Sequence, residues 1–567
     1  MNLFAKHQER FELAQEACSK RHCWSPYPDM PDKYPEAAEA KRSGLLAFEQ
    51  HLANGKFDID QPGIENWIGE EVSPYTQKAL GITYPQSKLD VLFNAADAAM
   101  TAWAQTPYQQ RIGVLMEVID TLYKDHLFEV LHAVMHTAGQ SYNMAYAGSG
   151  VNALDRSIEA LVYAEQAMKS VTPTALWSRR FGSSDIQLQK KYRIVPKGTA
   201  VCFSCASFPT WNAWPSMMAS LATGNPVIVK PHPATVLPMA ITVKAFRRVL
   251  EAAGFDPNLV TMAVDTTNEP IGKLLIKHPQ TAIVDFTGSV KFGLWVEQNS
   301  HPAVAFTETA GCNTVVLESA DDLDAALRNL ATTMCLFSAQ MCTSPQNIYI
   351  PQDGVQTPTG LVSFDEVAQR LAHAVEALTT DPKKASMILA AIQSNQTLAL
   401  LKDMTEQAKQ RGKVLLSPST YAHPDYLNAR TSTPLIIQVT PKAHDLYSQE
   451  RFGPISFVIQ CLDANDALKQ ATQDAKRHGG LTAFLYSTRE TFIAQAEAAY
   501  ARAGAQLTIN LVGAMPLNFA AAYSDYHVTG LNPAGNATLT NLAFVTGRFG
   551  VVQSRRPIAN LSASEKI

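Results

Sequence analysis

Between residues 89 and 171 apolar side chains recur at helical spacing. Ile112, Leu115, Ile119 and Leu122 lie three or four positions apart and form one stripe. Thr106 ahead of Pro107 predicts an N-cap followed by a first helical position, and Gly139 predicts a stop. The rhythm changes at Ile186. Residues 186–195 alternate apolar and polar, as a half-exposed strand does. Short apolar runs then alternate with helical stripes. Strands are predicted at 199–203, 227–229, 259–264 and 282–286. Between them come a helix of small residues at 216–222, closed by Gly224-Asn225, and one marked by Val243, Phe246, Val249 and Leu250 and ended by Gly254. This order predicts an open parallel sheet with right-handed crossovers. Ligands on such sheets sit beyond the carboxyl ends of the strands. A second alternating unit follows, with strands at 314–317, 347–350, 483–486 and 506–510. Its helices are a stripe of Leu323, Leu327, Leu330 and Met334 and a segment at 365–378. Residues 539–553 predict a long strand or hairpin, whereas residues 1–85 predict no definite element.

Composition narrows the function classes. With 46% hydrophobic and 17% charged residues the chain is globular, and 567 residues predict two large domains. A net charge of −4 without a dense Lys/Arg stripe argues against nucleic acid as a partner. No run of about 20 apolar residues is present to cross a membrane. Lys6, Glu9, Arg10 and Glu12 interrupt the first turns, unlike a signal peptide, so a cytoplasmic protein is expected. The 8 cysteines are scattered, which is not a disulfide scaffold. Cys202 and Cys205 form a Cys-x-x-Cys pair, but no second pair stands at ligand spacing. That pair is expected to be structural, and no metal is expected.

Residues able to carry chemistry collect in four turn segments, three just past predicted strands and one opening a helix, and in three motifs downstream. They are Phe208-Pro-Thr-Trp-Asn212, Lys230-Pro-His-Pro233, Phe286-Thr-Gly-Ser289, Glu308-Thr-Ala-Gly311, Phe337-Ser-Ala-Gln-Met-Cys342, Glu450-Arg-Phe-Gly-Pro454 and Gly480-Leu-Thr-Ala483. A thiol of ordinary pKa, near ~8.5, is mostly protonated at neutral pH, so a nucleophilic cysteine needs a base or a lowered pKa. A buried glutamate can be such a base. A turn asparagine can donate an N–H to a developing alkoxide. Gly288-Ser289 at a helix start offers N–H groups to a phosphate. Each residue also has a plainer reading: an inert buried cysteine, a strand-end ion pair, a turn asparagine, a solvated lysine, an N-cap serine. His232 reads as a turn residue.

In this order and spacing the motifs resemble the aldehyde dehydrogenase superfamily over roughly residues 89–550. The resemblance implies Cys342 as the nucleophile, Asn212 with the Cys342 backbone N–H as the oxyanion donors, and Glu308 as the general base. It implies cofactor contacts from Phe208, Trp211, Lys230, Gly288, Ser289, Glu450 and Phe452, with Lys230 at the adenosine ribose and Glu450 at the nicotinamide ribose. The first turn has no Gly-x-Gly-x-x-Gly fingerprint, in keeping with this family's cofactor mode. Many NAD-preferring members carry a glutamate where this chain has Pro233. With that charge missing, NADP is expected to be preferred, with NAD as the alternative. Glu308 favours a free acid over an acyl-coenzyme A product. Ala310 and Ala339 stand where the family has glycines.

The implied fold is α/β and aldehyde dehydrogenase-like, with two open parallel α/β sheet domains plus an oligomerisation strand arm. The expected division is an N-terminal extension (1–85), a nucleotide-binding domain (86–184 and 199–307), a catalytic domain (308–530) and an arm (185–198 and 531–567). The arm implies a homodimer or homotetramer, and the partner is a small-molecule aldehyde. The extended N-terminus further resembles phenylacetic acid degradation proteins of the PaaN type, which implies a coenzyme A-linked semialdehyde. No fused hydratase domain is expected, because about 20 residues follow the last family element. The alternatives are an unrelated aldehyde, a coenzyme A-acylating reaction and a non-catalytic nucleotide-binding relative.

Overall fold

The apolar runs between residues 199 and 308 pair into one parallel sheet. From edge to edge its strands are Val260–Met262, Val227–Pro231, Thr199–Ser204, Thr281–Thr287 and Val304–Glu308. The structure, a computed structural model, describes residues 2–309, 311–536 and 541–558. Successive residues of the inner strands enter different cores. Ala200, Cys202, Val227 and Val229 join one cluster, and Val201, Phe203 and Ile228 another. Burial on both faces explains why these strands read as unbroken apolar runs. Chain order reverses beside Thr199–Ser204, so the crevice at its carboxyl end is the place for a ligand.

The second sheet runs Lys413–Leu416, Leu435–Val439, Ile455–Cys461, Pro345–Pro351, Asn313–Leu317, Thr482–Tyr486 and Gln506–Ile509. Only the first of these pairs antiparallel to its neighbour. Helices Leu323–Cys335 and Phe364–Thr379 cover one face with apolar stripes, and Ala464–His478 lies on the other. No described helix is long and apolar enough to cross a membrane.

Three expectations change. Helix Tyr108–Thr121 starts one residue later than predicted, with Pro107 as its N-cap. Thr106 instead ends the preceding helix, and its hydroxyl donates to Ala102 O. In the tail, residues 539 and 540 lie outside the described residues. Residues 542–546 form a short helix because the Asn541 side chain accepts the Phe544 N–H and Phe544 and Val545 are buried. The strand begins only at Phe549 and runs to Pro557, antiparallel to Ser184–Pro196. Thr174–Phe181 pairs with the other side of Ser184–Pro196, giving a three-stranded ribbon.

The unreadable N-terminal segment, residues 2–85 of those described, is ordered by contacts with the rest of the chain. Helix Leu3–Lys20 packs on Tyr108–Thr121, and Ala37–Asn54 packs on Leu127–Ala138. The second contact is close: a Cβ at Gly44 would come within 2.7 Å of the Phe128 carbonyl carbon. The buried Glu71 reaches the start of helix Leu237–Ala252. Its Oε1 accepts the N–H groups of Val236 and Leu237 at 2.5 and 2.9 Å, and Tyr84 O–H donates to Oε2. A carboxylate at a helix N-terminus meets otherwise unpaired N–H groups and the positive end of the dipole. That helix follows the Lys230–Pro233 turn, so the N-terminal segment steadies one wall of the crevice. Glu71→Ala is expected to lower unfolding free energy by about 2–3 kcal/mol, and Glu71→Gln by less than half of that. Denaturant unfolding at constant m-value checks it; equal losses in both variants would count against the capping role.

Candidate functional site

The segment leading to Cys342 is bent by its own backbone. Phe337, Ser338 and Ala339 have φ of 49, 50 and 51°, three successive left-handed residues without a glycine. Each costs about 1 kcal/mol or more, so the conformation must be held by its surroundings. Ser338 O–H donates to Leu389 O at 2.9 Å. Gln340, fully buried, donates from Nε2 to Ala391 O at 3.0 Å and accepts Gln393 N–H at 2.8 Å. Asn313 Nδ2 donates to Cys342 O at 2.7 Å, while Asn313 Oδ1 accepts the N–H groups of Leu481 and Thr482. The Gly480–Ala483 motif therefore acts through Asn313, which secures the cysteine backbone.

The Cys342 thiol donates to Glu308 Oε1 at 3.3 Å. Glu308 ends the last strand of the first sheet and is buried. Its other oxygen, Oε2, accepts Asn212 Nδ2–H at 2.8 Å. Asn212 precedes helix Ala213–Ala222, beyond the Thr199–Ser204 strand. His527 Nε2 lies 3.0 Å from Glu308 Oε1 and 4.0 Å from Cys342 Sγ. Burial, and then the Glu308 charge, hold the thiol well above its ordinary pKa, so the cysteine is protonated in this arrangement. One Asn212 N–H is given to Glu308. The amide carries a second, which is the one left to meet an oxyanion.

These groups open on a cavity of about 1120 Å³, lined by Phe208, Trp211, Lys230, Gly288, Ser289, Glu450 and Phe452 as well as Asn212 and Cys342. All ten residues expected from the sequence thus meet at one place, Glu308 through its contact with the sulfur. Trp211 N–H donates to Asn152 Oδ1 at 3.0 Å, and Phe208 packs edge-on against Phe337 at 5.6 Å. Ser289 caps helix Val290–Asn299 by accepting Phe292 N–H. The Gly288 N–H donates to Glu308 O at 3.1 Å, so it braces the strand end rather than pointing freely at a phosphate. His232 is a turn residue, its Nδ1 accepting Ala234 N–H.

Among the wall residues to which sequence reading gave no role in the site are His527, Asp265 and Cys205, the last read as structural. His527 sits in an irregular segment far along the chain, with no periodicity to mark it. Asp265 follows the Val260–Met262 strand and places Oδ1 at 2.6 Å from Lys230 Nζ, with both side chains buried. Cys205 also lines the cavity; its thiol donates to Phe208 O, and that of Cys202 donates to Ala213 O, so the pair is unbridged.

The cavity suits a nicotinamide dinucleotide. Asp265, paired with Lys230 through Oδ1 and accepting the Ile271 N–H on Oδ2, brings a fixed carboxylate to the wall, where its further lone pairs can accept a sugar hydroxyl. The Glu450 carboxyl faces the same space, and burial pushes it up to about 8 against the opposing Gly311 N–H. Glu450 therefore keeps its proton in the folded chain across a range where the unfolded chain has lost it. Its contribution to stability falls as pH rises from about 4.5 to about 8, at no more than about 1.4 kcal/mol per pH unit. Glu450→Gln should flatten that slope, as urea unfolding at successive pH values will show. A slope unchanged in the variant would place the proton elsewhere.

Comparison with known proteins gives one family. The model of the aldehyde dehydrogenase family matches residues 67–515. The solved NAD-dependent aldehyde dehydrogenase of Burkholderia multivorans is 42% identical, with a TM-score of 0.94 over 98% of this chain and 99% of that one. A 1-pyrroline-5-carboxylate dehydrogenase of Thermus thermophilus shares the fold at 18% identity and a TM-score of 0.73, covering 94% of this chain and 99% of its own. A putative aldehyde dehydrogenase of Gibberella fujikuroi is 26% identical over 70% of this chain and 76% of its own length.

Proposed function

The chain belongs to the aldehyde dehydrogenase family and is an NAD(P)-dependent aldehyde dehydrogenase, and on that premise we propose that it oxidises a coenzyme A-linked semialdehyde to the free acid through a thioester on Cys342. The observation that carries the chemistry is the 3.3 Å contact between Cys342 Sγ and Glu308 Oε1 at the wall of the cavity. The Cys342 sulfur, once deprotonated, bonds to the aldehyde carbon. The carbonyl oxygen becomes an alkoxide, met by the second Asn212 N–H. A nicotinamide held in this cavity would supply the acceptor for the hydride that leaves the same carbon. Cys342 is then left as a thioester. Glu308 takes a proton from water, the hydroxide adds to the acyl carbon, and the C–S bond breaks to release the acid.

The semialdehyde assignment rests on the resemblance of the chain and its N-terminal segment to PaaN-type proteins, and the free acid on the presence of Glu308. For the cofactor, we read NAD as preferred, against the expectation drawn from Pro233. That expectation assumed an uncharged ribose end. Asp265 supplies a carboxylate there, and it already neutralises Lys230. A 2′-phosphate would meet that carboxylate in a buried place, where like charges repel strongly. The arm ribbon exposes Leu176, Phe181, Ile186, Val551 and Val552, an apolar surface suited to joining copies as a homodimer or homotetramer.

The test is nicotinamide reduction with NAD or NADP and a panel of aldehydes that includes a coenzyme A-linked semialdehyde and 1-pyrroline-5-carboxylate. Cys342→Ala should abolish turnover, and Asn212→Ala should lower kcat by about a hundredfold or more. Asp265→Asn should raise the NADP to NAD ratio of kcat/KM by about tenfold. Persistent turnover without the thiol would refute the nucleophile. Higher kcat/KM for 1-pyrroline-5-carboxylate than for any coenzyme A-linked substrate would refute the substrate class. A wild-type preference for NADP would refute the role given to Asp265.

A further inference from the structure

Helix Ala464–His478 carries Asp474 and His478 four positions apart at its end, so both side chains stand on one face. His444 meets them from the short helix His444–Tyr447. One ring nitrogen of each histidine and one carboxylate oxygen lie within 4.8 Å of one another. His444 Nε2 is 2.7 Å from Asp474 Oδ1. The plain reading is an ion pair beside a histidine that suits a helix C-terminus. Two observations go beyond it. The Asp474 carboxylate is buried, and Tyr349, itself fully buried, donates its O–H to Oδ2. That bond fixes the carboxylate and leaves Oδ1 turned to His444, as an outer partner does for a metal-ligating carboxylate. The His478 ring makes no hydrogen bond among the described residues, yet it packs on His444 with centroids 5.6 Å apart.

We propose that His444, Asp474 and His478 bind a divalent cation of the zinc class, which clips the segment leading to Glu450 onto the helix leading to residues 480–482. Two imidazole nitrogens and one carboxylate suit zinc, whereas magnesium and calcium take oxygen ligands. With bonds of about 2.0–2.2 Å, ligand atoms around zinc stand about 3.3 Å apart. His444 and Asp474 would part by roughly half an ångström, and His478 would close by at most about 1.5 Å, within reach of side-chain rotation. The proton between His444 Nε2 and Asp474 Oδ1 passes to solvent as the metal–nitrogen bond forms. The His444 side chain is 45% exposed, which gives the ion a way in and leaves its remaining position to water. The expectation of no metal weighed only the cysteine pair.

None of the three residues lines the cavity, but both sides of the site run to it. Tyr447 O, at the end of the His444 helix, accepts the side-chain amides of Asn347 and Gln346 at 2.9 and 3.2 Å. Gln346 Oε1 accepts the Arg451 N–H at 2.6 Å, next to Glu450. On the other side Gly479 O accepts the Cys312 N–H at 2.7 Å. The N–H groups of Leu481 and Thr482 donate to Asn313, which holds Cys342 O. A metal joining His444 to His478 therefore restrains two segments that frame the cavity, without touching the reacting groups.

Glu308, Cys342 and His527 also stand close enough to hold an ion, so the test uses the untagged full chain carrying Cys342→Ala, which lacks that sulfur. Zinc binding is measured by equilibrium dialysis in this parent and after adding His444→Gln or His478→Gln. The parent should take up zinc, and each added substitution should weaken its binding tenfold or more. Zinc should also raise the parent's Tm and slow amide exchange at residues 444–451, and magnesium at the same concentration should do neither. Equal zinc affinity in parent and variants, or an equal response to magnesium, overturns the site. Zinc held without slower exchange overturns the clip. If one variant melts well below the parent before zinc is added, the other decides. If both do, X-ray absorption of the zinc-loaded parent decides: two imidazole ligands support the site, and fewer overturn it. No readout involves turnover, so the result stands apart from the role given to Cys342.

Discussion

The Glu308 carboxylate is the buried group on which the polar contacts of the cavity converge. It ends the last strand of the first sheet, yet its oxygens meet Asn212, Cys342 and His527. Those partners come from a turn beyond the first sheet, a bend before the second, and an irregular stretch near the end of the chain. A buried carboxylate is costly unless its lone pairs are occupied. Here the partners that satisfy it include the thiol and the side-chain amide given roles in the proposed reaction. Stability and chemistry thus make the same demand on the backbone positions around it.

That demand explains features that would otherwise be liabilities. The three left-handed residues before Cys342 include no glycine, and hydrogen bonds from Ser338 and Gln340 hold them. Arg548 is fully buried and forms a two-point ion pair with Asp285 on the sheet, at 2.6 and 2.8 Å. Ser220 Oγ and the Phe544 carbonyl accept two more of its N–H groups. A buried pair with its hydrogen bonds filled fixes geometry more than it adds stability. In this case it fastens the start of the arm to the sheet that carries Glu308. Glu71 does the corresponding work for the helix behind Lys230.

The lining of the cavity around Lys230 draws its charge from more than one turn. Pro233 removes a charge that relatives carry on the same turn, and by itself this suggests room for a phosphate. Asp265 reaches the same lysine from a different strand end. The electrostatics of a site depend on every group within a few ångströms, and strand ends separated by more than 30 positions in the sequence meet there.

By itself the sequence determined what short-range pattern can express. The unbroken apolar runs gave the buried parallel strands, because both faces of such strands are covered. The period of apolar positions gave helices such as Leu323–Cys335 and Phe364–Thr379. The motifs gave nine lining residues and Glu308 behind the sulfur; those of the first sheet meet because an open parallel sheet brings its carboxyl ends to one side, whereas Cys342, Glu450 and Phe452 precede strands of the second. What only the tertiary structure decided are contacts with no local signature. They include the histidine beside Glu308, the aspartate beside Lys230, Glu71 on a distant helix end and the order within residues 2–85. In each, a side chain is chosen by a partner remote in sequence. Its role comes from desolvation and charge at the meeting point, which no stretch of neighbouring residues contains.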